Sequence, residues 1–430
     1  MFTSRPCVLS AKQYLILVSS SMGQILGAAL SAVVGVVLPL LRTNSDASVS
    51  SAELSCVGAS ALLGITVGSA FIGKVSTRFA PLIFLKIGPL IAAAAALSAC
   101  FSESISALCT ALTVIGFTVG GEYSLDSDTV SKYIDQKQRA FMVGVVKASS
   151  ALGSIFGALA VFLLLKKLPL PETANLLFLV IAVPAFITFL LRLFITDKVL
   201  RHPIQTAETS HPPLWKGNGI ERIVFCGIPW ACEGASVYGV GIFLPTLLLT
   251  LIPDDTASVG IGRILDSAGL SVLVSSFMLP GFLIGLFLIG KLSPLRLQAN
   301  GFLIAAAGLF ILLCADRFRL PLSVCLTGFL VFELALNAGP HLMTYVMPGE
   351  VYPSYERSEG AGLAAAVGKL GAAASVISIP FLLEKGGAQS VLLISAILLL
   401  IGAAVTEIFG KKLLGLKGNE PGDNDESTDK

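Results

Sequence analysis

The most prominent pattern in the chain is a series of long apolar runs separated by short polar breaks. A run of about 20 apolar residues is long enough for a helix to cross the ~30 Å hydrocarbon layer of a membrane. Twelve runs of this kind predict twelve transmembrane helices. They lie at about 14–41, 54–74, 80–101, 104–127, 140–165, 172–195, 221–252, 263–291, 295–315, 320–346, 356–383 and 388–411.

The longest polar interruption divides these runs into two groups of six. It predicts an N-terminal half over 1–195, a cytoplasmic linker over 196–219 and a C-terminal half over 220–411. The last residues, 412–430, are polar and largely acidic after the first few positions, so we predict a disordered cytoplasmic tail there.

The two halves resemble each other in sequence. Residues Gly64–Lys74 match Gly281–Lys291 at an offset of 217 positions, and the two segments share their glycine spacing and the final lysine. A second anchor, which pairs Gly153 with Gly371, agrees at an offset of 218. Internal repeats of this length predict two pseudo-symmetric six-helix halves, with a binding site between them near the middle of the membrane. The predicted fold class is all-α integral membrane.

Composition excludes a soluble domain. The chain is 54% hydrophobic and only 13% charged, with a mean hydropathy of +0.85, whereas soluble proteins carry about 25% charged residues. A net charge of +2 indicates no nucleic-acid partner. The polar segments on the same side of the membrane as both termini and the linker hold 18 of the 29 lysines and arginines. The segments on the opposite side hold seven. This bias predicts a multi-pass protein of the cell (inner) membrane with both termini in the cytoplasm.

The eight cysteines and three histidines could suggest a metal or redox site. The cysteines are scattered, no C-x-x-C pair occurs, and most lie inside apolar runs. Small buried thiols in packed helices explain this distribution better. We therefore predict no metal and no cofactor.

Three segments carry a family resemblance. Gly120–Leu125, followed by Lys137-Gln138-Arg139, resembles the motif G-G-[DE]-Y-P-L-S…K-Q-R. Gly339–Ser358 resembles G-P-N…P-G-E-x-F-P…R-S, and Ala364–Ala372 resembles A-A-x-G-K-x-G-A. These motifs are similar to those of the major facilitator superfamily, and within it to the phosphate:proton symporters and the sugar-porter branches. The resemblance implies the twelve-helix fold, alternating access and no enzymatic activity.

Several positions depart from the family pattern. Thr77 stands where the signature has an aspartate, and Lys132 reverses the charge of the family's glutamate. Ser150 replaces a substrate-binding glutamine, and Lys147 replaces an aromatic residue. The first helix also lacks the family's aspartate. The scaffold is shared, but these differences indicate a rewritten substrate site.

Ionisable residues deep in the membrane are costly, so each is a functional hypothesis. Lys369 lies twelve residues beyond Arg357, or about 18 Å along a helix, and it matches a substrate-contacting lysine of the resembled family. Lys147 lies at a shallower depth on a helix that lines the cavity by resemblance, with an internal salt bridge as the competing interpretation. Glu122 matches the family's acidic proton and substrate group, with a structural ion pair as its alternative. Desolvation favours the neutral form of such a carboxylate, and a nearby cation favours the ionised form.

The complete set of predicted site residues falls into three groups. Substrate-binding residues are predicted to be Lys369, Lys147, Tyr123, Ser150, Trp230 and Tyr238. Proton-coupling residues are predicted to be Glu122, Glu233 and Glu333, the last two with packing as an equal alternative. A cytoplasmic gate is predicted at Arg78, Arg139, Glu350 and Arg357, since Glu350 and Arg357 resemble a sugar-porter loop element.

Other charged residues are expected to lie near the membrane surface. We expect Arg192, at the end of the sixth span, to anchor that helix at the interface, and Lys86 to extend its ammonium toward the cytoplasmic surface. Asp126 and Asp128 are expected at the cytoplasmic mouth, either solvated or paired with Lys132.

The sequence therefore predicts a monomeric, proton-coupled symporter for a small anionic solute, either phosphate or an organic anion. Its partners are the substrate, protons and the lipid bilayer. A proton-driven efflux antiporter for a drug, siderophore or metabolite is the alternative within the same fold. A non-transporting sensor or scaffold is the alternative from another class.

Overall fold

The computed structural model describes residues 9–44, 49–75, 81–134, 136–167, 176–194, 217–242, 261–353 and 357–415, together with 244 and 247–248. The described part is almost entirely helical. Its helices are α1 (Ala11–Asn44), α2 (Ser51–Val75), α3 (Pro81–Cys100), α4 (Ile105–Tyr133), α5 (Gln136–Ala148), α6 (Ser150–Lys167), α7 (Leu179–Leu193), α8 (Gly219–Ile242), α9 (Ile261–Ser276), α10 (Met278–Leu288), α11 (Pro294–Arg317), α12 (Leu322–Ala338), α13 (Pro340–Val351) and α14 (Arg357–Gly415).

Ten helical segments within the described residues are long and apolar enough to span a membrane. Helix α7 is a shorter apolar helix, and α14 is divided at Gly387, whose φ of 61° and ψ of −165° are not helical. Counting α7 and both parts of α14 gives the twelve spans that the sequence predicts. The linker over 196–216 and the tail over 416–430 lie outside the described residues.

Three spans are each built from two helices that meet at a break. Span five consists of α5 and α6, which meet at Ser149, and span eight of α9 and α10, which meet at Phe277. Span ten breaks between α12 and α13 at Gly339, and Pro340 is the first residue of α13. Proline has no backbone N–H and its ring collides with the preceding turn, so it kinks a continuous helix.

The glycines of the internal repeat make equivalent contacts in the two halves. A Cβ on Gly64 would overlap backbone atoms of Thr113 in α4, and a Cβ on Gly281 would meet the backbone oxygen of Leu334 in α12 at 3.0 Å. Close helix approach at small residues replaces the hydrophobic effect as the source of packing energy in a membrane.

The second anchor behaves in the same way. A Cβ on Gly153 would collide with the backbone of Ile25 in α1, and a Cβ on Gly371 would collide with the backbone of Ala231 in α8. The structure thus shows the two pseudo-symmetric six-helix halves of the predicted fold.

The contact of Gly64 with the backbone of Thr113 predicts a specific steric effect. Gly64→Ala should destabilise the protein by about 1–3 kcal/mol, because the new methyl group meets backbone that cannot rotate away. Thermal unfolding in detergent, followed by size-exclusion chromatography, measures the change. Gly241→Ala is the matched control, since Gly241 is exposed in α8 and its Cβ would have nothing within 4 Å. Equal stability of the two variants would contradict the close packing of α2 against α4.

The two halves touch at both ends of α2. In the N-terminal contact of α2, Ser55 Oγ donates to the backbone oxygen of Ile377 at 2.8 Å, and Gly58 lies against Val376. In the C-terminal contact of α2, a Cβ on Gly73 would lie 3.6 Å from Cα of Gly362. Both contacts join α2 to the first part of α14, so the N-terminal half lies against the C-terminal half at both ends of this helix.

Candidate functional site

Two lysines lie buried at the interface between the halves. Lys147, near the end of α5, is 3% exposed, and Lys369, on the first part of α14, is 2% exposed. The Lys369 ammonium donates a hydrogen bond to the hydroxyl of Tyr238 at 2.6 Å. The structure therefore brings together the two cations that the sequence placed deep in the membrane.

The aromatic ring of Tyr123 is shared by both lysines. Lys369 Nζ lies 4.7 Å from the Tyr123 ring centroid and 3.8 Å from that of Tyr238, and Lys147 Nζ lies 5.7 Å from the Tyr123 centroid. The hydroxyls of Tyr123 and Tyr238 are 3.2 Å apart. Cations this close to a ring face are attracted by its quadrupole, and the attraction strengthens when water is excluded.

Two further aromatic residues complete this cluster. Tyr345 of α13 packs edge-on against Tyr123 at a centroid distance of 6.2 Å and against Trp230 at 6.1 Å. Gly368, beside Lys369 in α14, leaves room for Trp230, because a Cβ there would lie 2.7 Å from the indole ring. The sequence predicted Trp230 but missed Tyr345, whose neighbours in the chain are all apolar or small.

Glu233 is the carboxylate of this cluster. It is 1% exposed on α8, pairs with the Nδ1 atom of His341, and interacts electrostatically with both Lys147 and Lys369. His341 stands where the resembled motif G-P-N has its asparagine. That substitution was the available signal for His341, although sequence analysis gave it no role.

The Arg192 side chain turns into the helix bundle and does not reach the protein surface, so its expected role as an interface anchor was wrong. Its side chain is fully buried, and both terminal nitrogens donate to the Glu122 carboxylate at 2.5 Å. The other donors go to the backbone oxygen of Leu85, to Ser19 Oγ and to the Ser19 backbone oxygen. All five N–H groups are satisfied, which is the condition under which a buried guanidinium is tolerated.

Asp126 is also misplaced in the sequence interpretation. It is fully buried one turn from Glu122, with Oδ2 3.5 Å from the side-chain amide nitrogen of Gln24, so it is neither solvated nor at the mouth. The side chains of Asp128 and Lys132 lie outside the described residues.

Among the described residues, neither Glu333 nor Ser150 forms a hydrogen bond with a residue of the lysine cluster. Half-buried Glu333 accepts a hydrogen bond from Asn337 at 2.9 Å, on the same helix. Ser150 is 4% exposed at the start of α6, and its hydroxyl has no hydrogen-bond partner among the described residues. Their assigned roles remain predictions.

The predicted gate is only partly within the described residues. Arg78 lies outside them. Arg139 is half-buried at the start of α5, and Glu350 and Arg357 are half-buried on either side of residues 354–356. Gating by these four residues remains a prediction.

A protein-family comparison identifies the fold family. The model described as Major Facilitator Superfamily matches residues 20–347, which is more than half of the chain. The chain belongs to the major facilitator superfamily. Members of this superfamily are membrane transporters, so the chain is a multi-pass membrane transporter for a small molecule and not an enzyme.

Similar curated members of the superfamily have several substrate names. The inner membrane metabolite transport protein YgcS of Escherichia coli (strain K12) is 25% identical, over 86% of each chain. The low affinity inorganic phosphate transporter 4 of Lotus japonicus is 24% identical, over 84% of this chain and 81% of that one. The niacin transporter NiaP of Acinetobacter baylyi is 22% identical, over 86% and 88%.

Solved structures agree on the fold. The proton:xylose symporter XylE bound to 6-bromo-6-deoxy-D-glucose superposes with a TM-score of 0.77 at 17% identity, over 96% of each chain. A partially occluded inward-open conformation of XylE from E. coli gives 0.76 at 15% identity, over 97% of this chain and all of that one. At this identity the likeness establishes the major facilitator fold alone.

Proposed function

We propose that this major facilitator transporter moves a small organic anion with a single negative charge, by alternating access and as a monomer. The buried lysine cluster carries the proposal. Lys147 comes from one half and Lys369 from the other, both lie against Tyr123, and both are shielded from water. A site between the halves, near the middle of the membrane, is where this type of transporter binds its substrate.

The charge count supports a monoanion. With both lysines protonated, Glu233 ionised and His341 neutral, the cluster would carry one net positive charge. Of the two other predicted carboxylates, Glu122 is paired with Arg192, and Glu333 accepts its hydrogen bond from Asn337 on its own helix and not from either lysine. A buried uncompensated charge is costly. One negative charge on the substrate would neutralise the site.

The aromatic walls support an organic anion over inorganic phosphate. Tyr123, Tyr238, Tyr345 and Trp230 offer ring faces and edges to a planar or apolar body, and the ammonium groups offer donors to a carboxylate. A relative named as a niacin transporter covers most of the chain, and nicotinate, the anionic form of niacin, has both properties. A relative named as a phosphate transporter makes phosphate the natural comparison.

Orientation and energy coupling are part of the same proposal. The basic residue bias supports cytoplasmic termini, and buried carboxylates next to the site supply groups that can exchange protons. Export of the same anion by proton antiport differs only in the direction of the gradient that drives it. One vesicle assay therefore distinguishes symport from antiport.

The test uses purified protein in proteoliposomes with a proton gradient of either direction. Radiolabelled nicotinate, its neutral amide nicotinamide, and phosphate are the three probes, and empty liposomes are the control. We expect nicotinate to accumulate when the outside is acidic, with little transport of nicotinamide, which has the same ring but no charge. Nicotinamide transport equal to or faster than that of nicotinate would overturn the anion assignment. A preference for phosphate would overturn the organic monoanion.

A further inference from the structure

A second buried charged group lies inside the N-terminal half, apart from the lysine cluster. It consists of Glu122 and Asp126 on α4, Arg192 on α7 and Gln24 on α1. Each of these residues is at most 5% exposed. The resembled motif G-G-[DE]-Y-P-L-S has a serine at the position of Asp126, so the second carboxylate is a feature of this chain.

The two carboxylates face the same point on α1. A Cβ on Gly23 would overlap Glu122 Oε2 and would lie 3.1 Å from Asp126 Oδ2. A side chain at position 23 would therefore displace Glu122, and the two acidic groups share one small space next to a single guanidinium. Like charges so close together cannot both remain ionised without compensation.

Arg192 compensates only one of them. Both oxygens of Glu122 accept from Arg192, and the remaining donors of the guanidinium are used by Ser19 and Leu85. No donor of Arg192 is left for Asp126. With Glu122 ionised, an ionised Asp126 would leave one net negative charge in a site without water contact.

Asp126 also has an unfilled hydrogen-bond position. Among the described residues, Asp126 Oδ1 and the side-chain oxygen of Gln24 are both buried acceptors without a partner. The two ends of an amide side chain exchange by rotation about its last bond. A proton on Asp126 would supply the missing donor, because the acid O–H can donate to the Gln24 oxygen.

We propose that Asp126 is the carboxylate that binds the coupling proton, while Glu122 stays paired with Arg192. This rests on the proton coupling in the proposed function. The proton binds one Asp126 oxygen and leaves from it, and no other bond changes. The groups that face Asp126 within the described residues are Ser20 and Gln24 of α1, Glu122 and Tyr123 of its own helix, Arg192 of α7 and Tyr345 of α13.

The first test is infrared difference spectroscopy of the reconstituted protein between neutral and acidic pH, with no substrate present. A protonated carboxyl group gives a carbonyl band of its own. We expect such a band to grow as pH falls, to shift when aspartate side chains carry a heavy carbon isotope, and to disappear in Asp126→Asn. Asp316→Asn, at the far end of α11, is the matched control and should retain the band.

A carbonyl band that shifts with isotope-labelled glutamate and survives in Asp126→Asn would overturn the proposal. The absence of any carbonyl band from a protonated carboxyl group at acidic pH would also overturn it. The isotope experiment uses the unchanged protein, so it decides the question even if the variant fails to fold. It needs no anion, so failure of nicotinate transport would count against the proposed function and leave the proton site standing.

The second test separates coupling from simple protonation. In vesicles loaded with nicotinate, Asp126→Asn should lose accumulation driven by the proton gradient and retain exchange of labelled for unlabelled nicotinate. Asp126→Glu should recover part of the accumulation. Gradient-driven accumulation that survives in Asp126→Asn would overturn the assignment, and so would equal loss of accumulation and exchange.

Discussion

Lys369→Ala should weaken anion binding by roughly 30-fold or more while the protein still folds. Lys369 is bonded to Tyr238 and lies over two tyrosine rings, so truncation removes one side of the charge pair that the substrate would form. Loss of one partner of a buried charge pair costs about 2–5 kcal/mol, or roughly 30-fold to several thousand-fold in Kd. Equilibrium binding of radiolabelled nicotinate to the purified protein measures this.

Two further variants show whether the effect depends on position and shape. Lys86→Ala, on half-buried Lys86 of α3, should bind normally. Lys369→Arg should also impair transport, because a planar guanidinium does not fit the place of a compact ammonium between two rings. Normal transport by Lys369→Ala would rule out an electrostatic role for this lysine, and the efflux alternative would then become the leading hypothesis.

Arg192→Gln should be the most destabilising substitution of a charged residue. It leaves Glu122 and Asp126 buried next to each other without a cation, and it removes bonds to Ser19 and Leu85. Breaking a buried ion pair from one side costs about 3–5 kcal/mol. We expect a lower unfolding temperature in detergent and a poor yield of monodisperse protein.

A double substitution isolates the ionic part of this effect. Glu122→Gln combined with Arg192→Gln replaces the ion pair with two amides, and it should recover much of the stability that the single change loses. Arg317→Gln, on an exposed arginine at the end of α11, is the matched control. Wild-type stability of Arg192→Gln would contradict the pairing seen in the structure.

Hydrophobic patterning was sufficient to predict the architecture. The apolar runs predicted the spans, and the glycine repeat predicted which residues make equivalent contacts in the two halves, because both follow from membrane thickness and close packing. The burial of Lys147 and Lys369 could also be predicted, since the rise per residue places both well inside their apolar spans.

The direction in which a side chain points could not be predicted in the same way. Arg192 lies near the end of an apolar span, where an arginine can extend to the surface or turn inward with equal sequence patterns. Its direction is decided by Glu122 on another helix, 70 positions away in the chain. Asp126 was misplaced for the same reason, and His341 was missed because one polar residue does not change the hydropathy of its span.

The two contacts of α2 with α14 have a consequence for the membrane as an insulator. Helix α2 lies against the backbone of α4 at Gly64 and Gly68, where no side chain separates the two helices. Close packing at small residues favours movement of α2 and α4 as one body. A body that tilts away from α14 at the Ser55 end would move toward it at the Gly73 end. Under the proposed alternating access, the two ends would then open in turn and not together, and a turnover would carry its solute without an open water path for ions along α2.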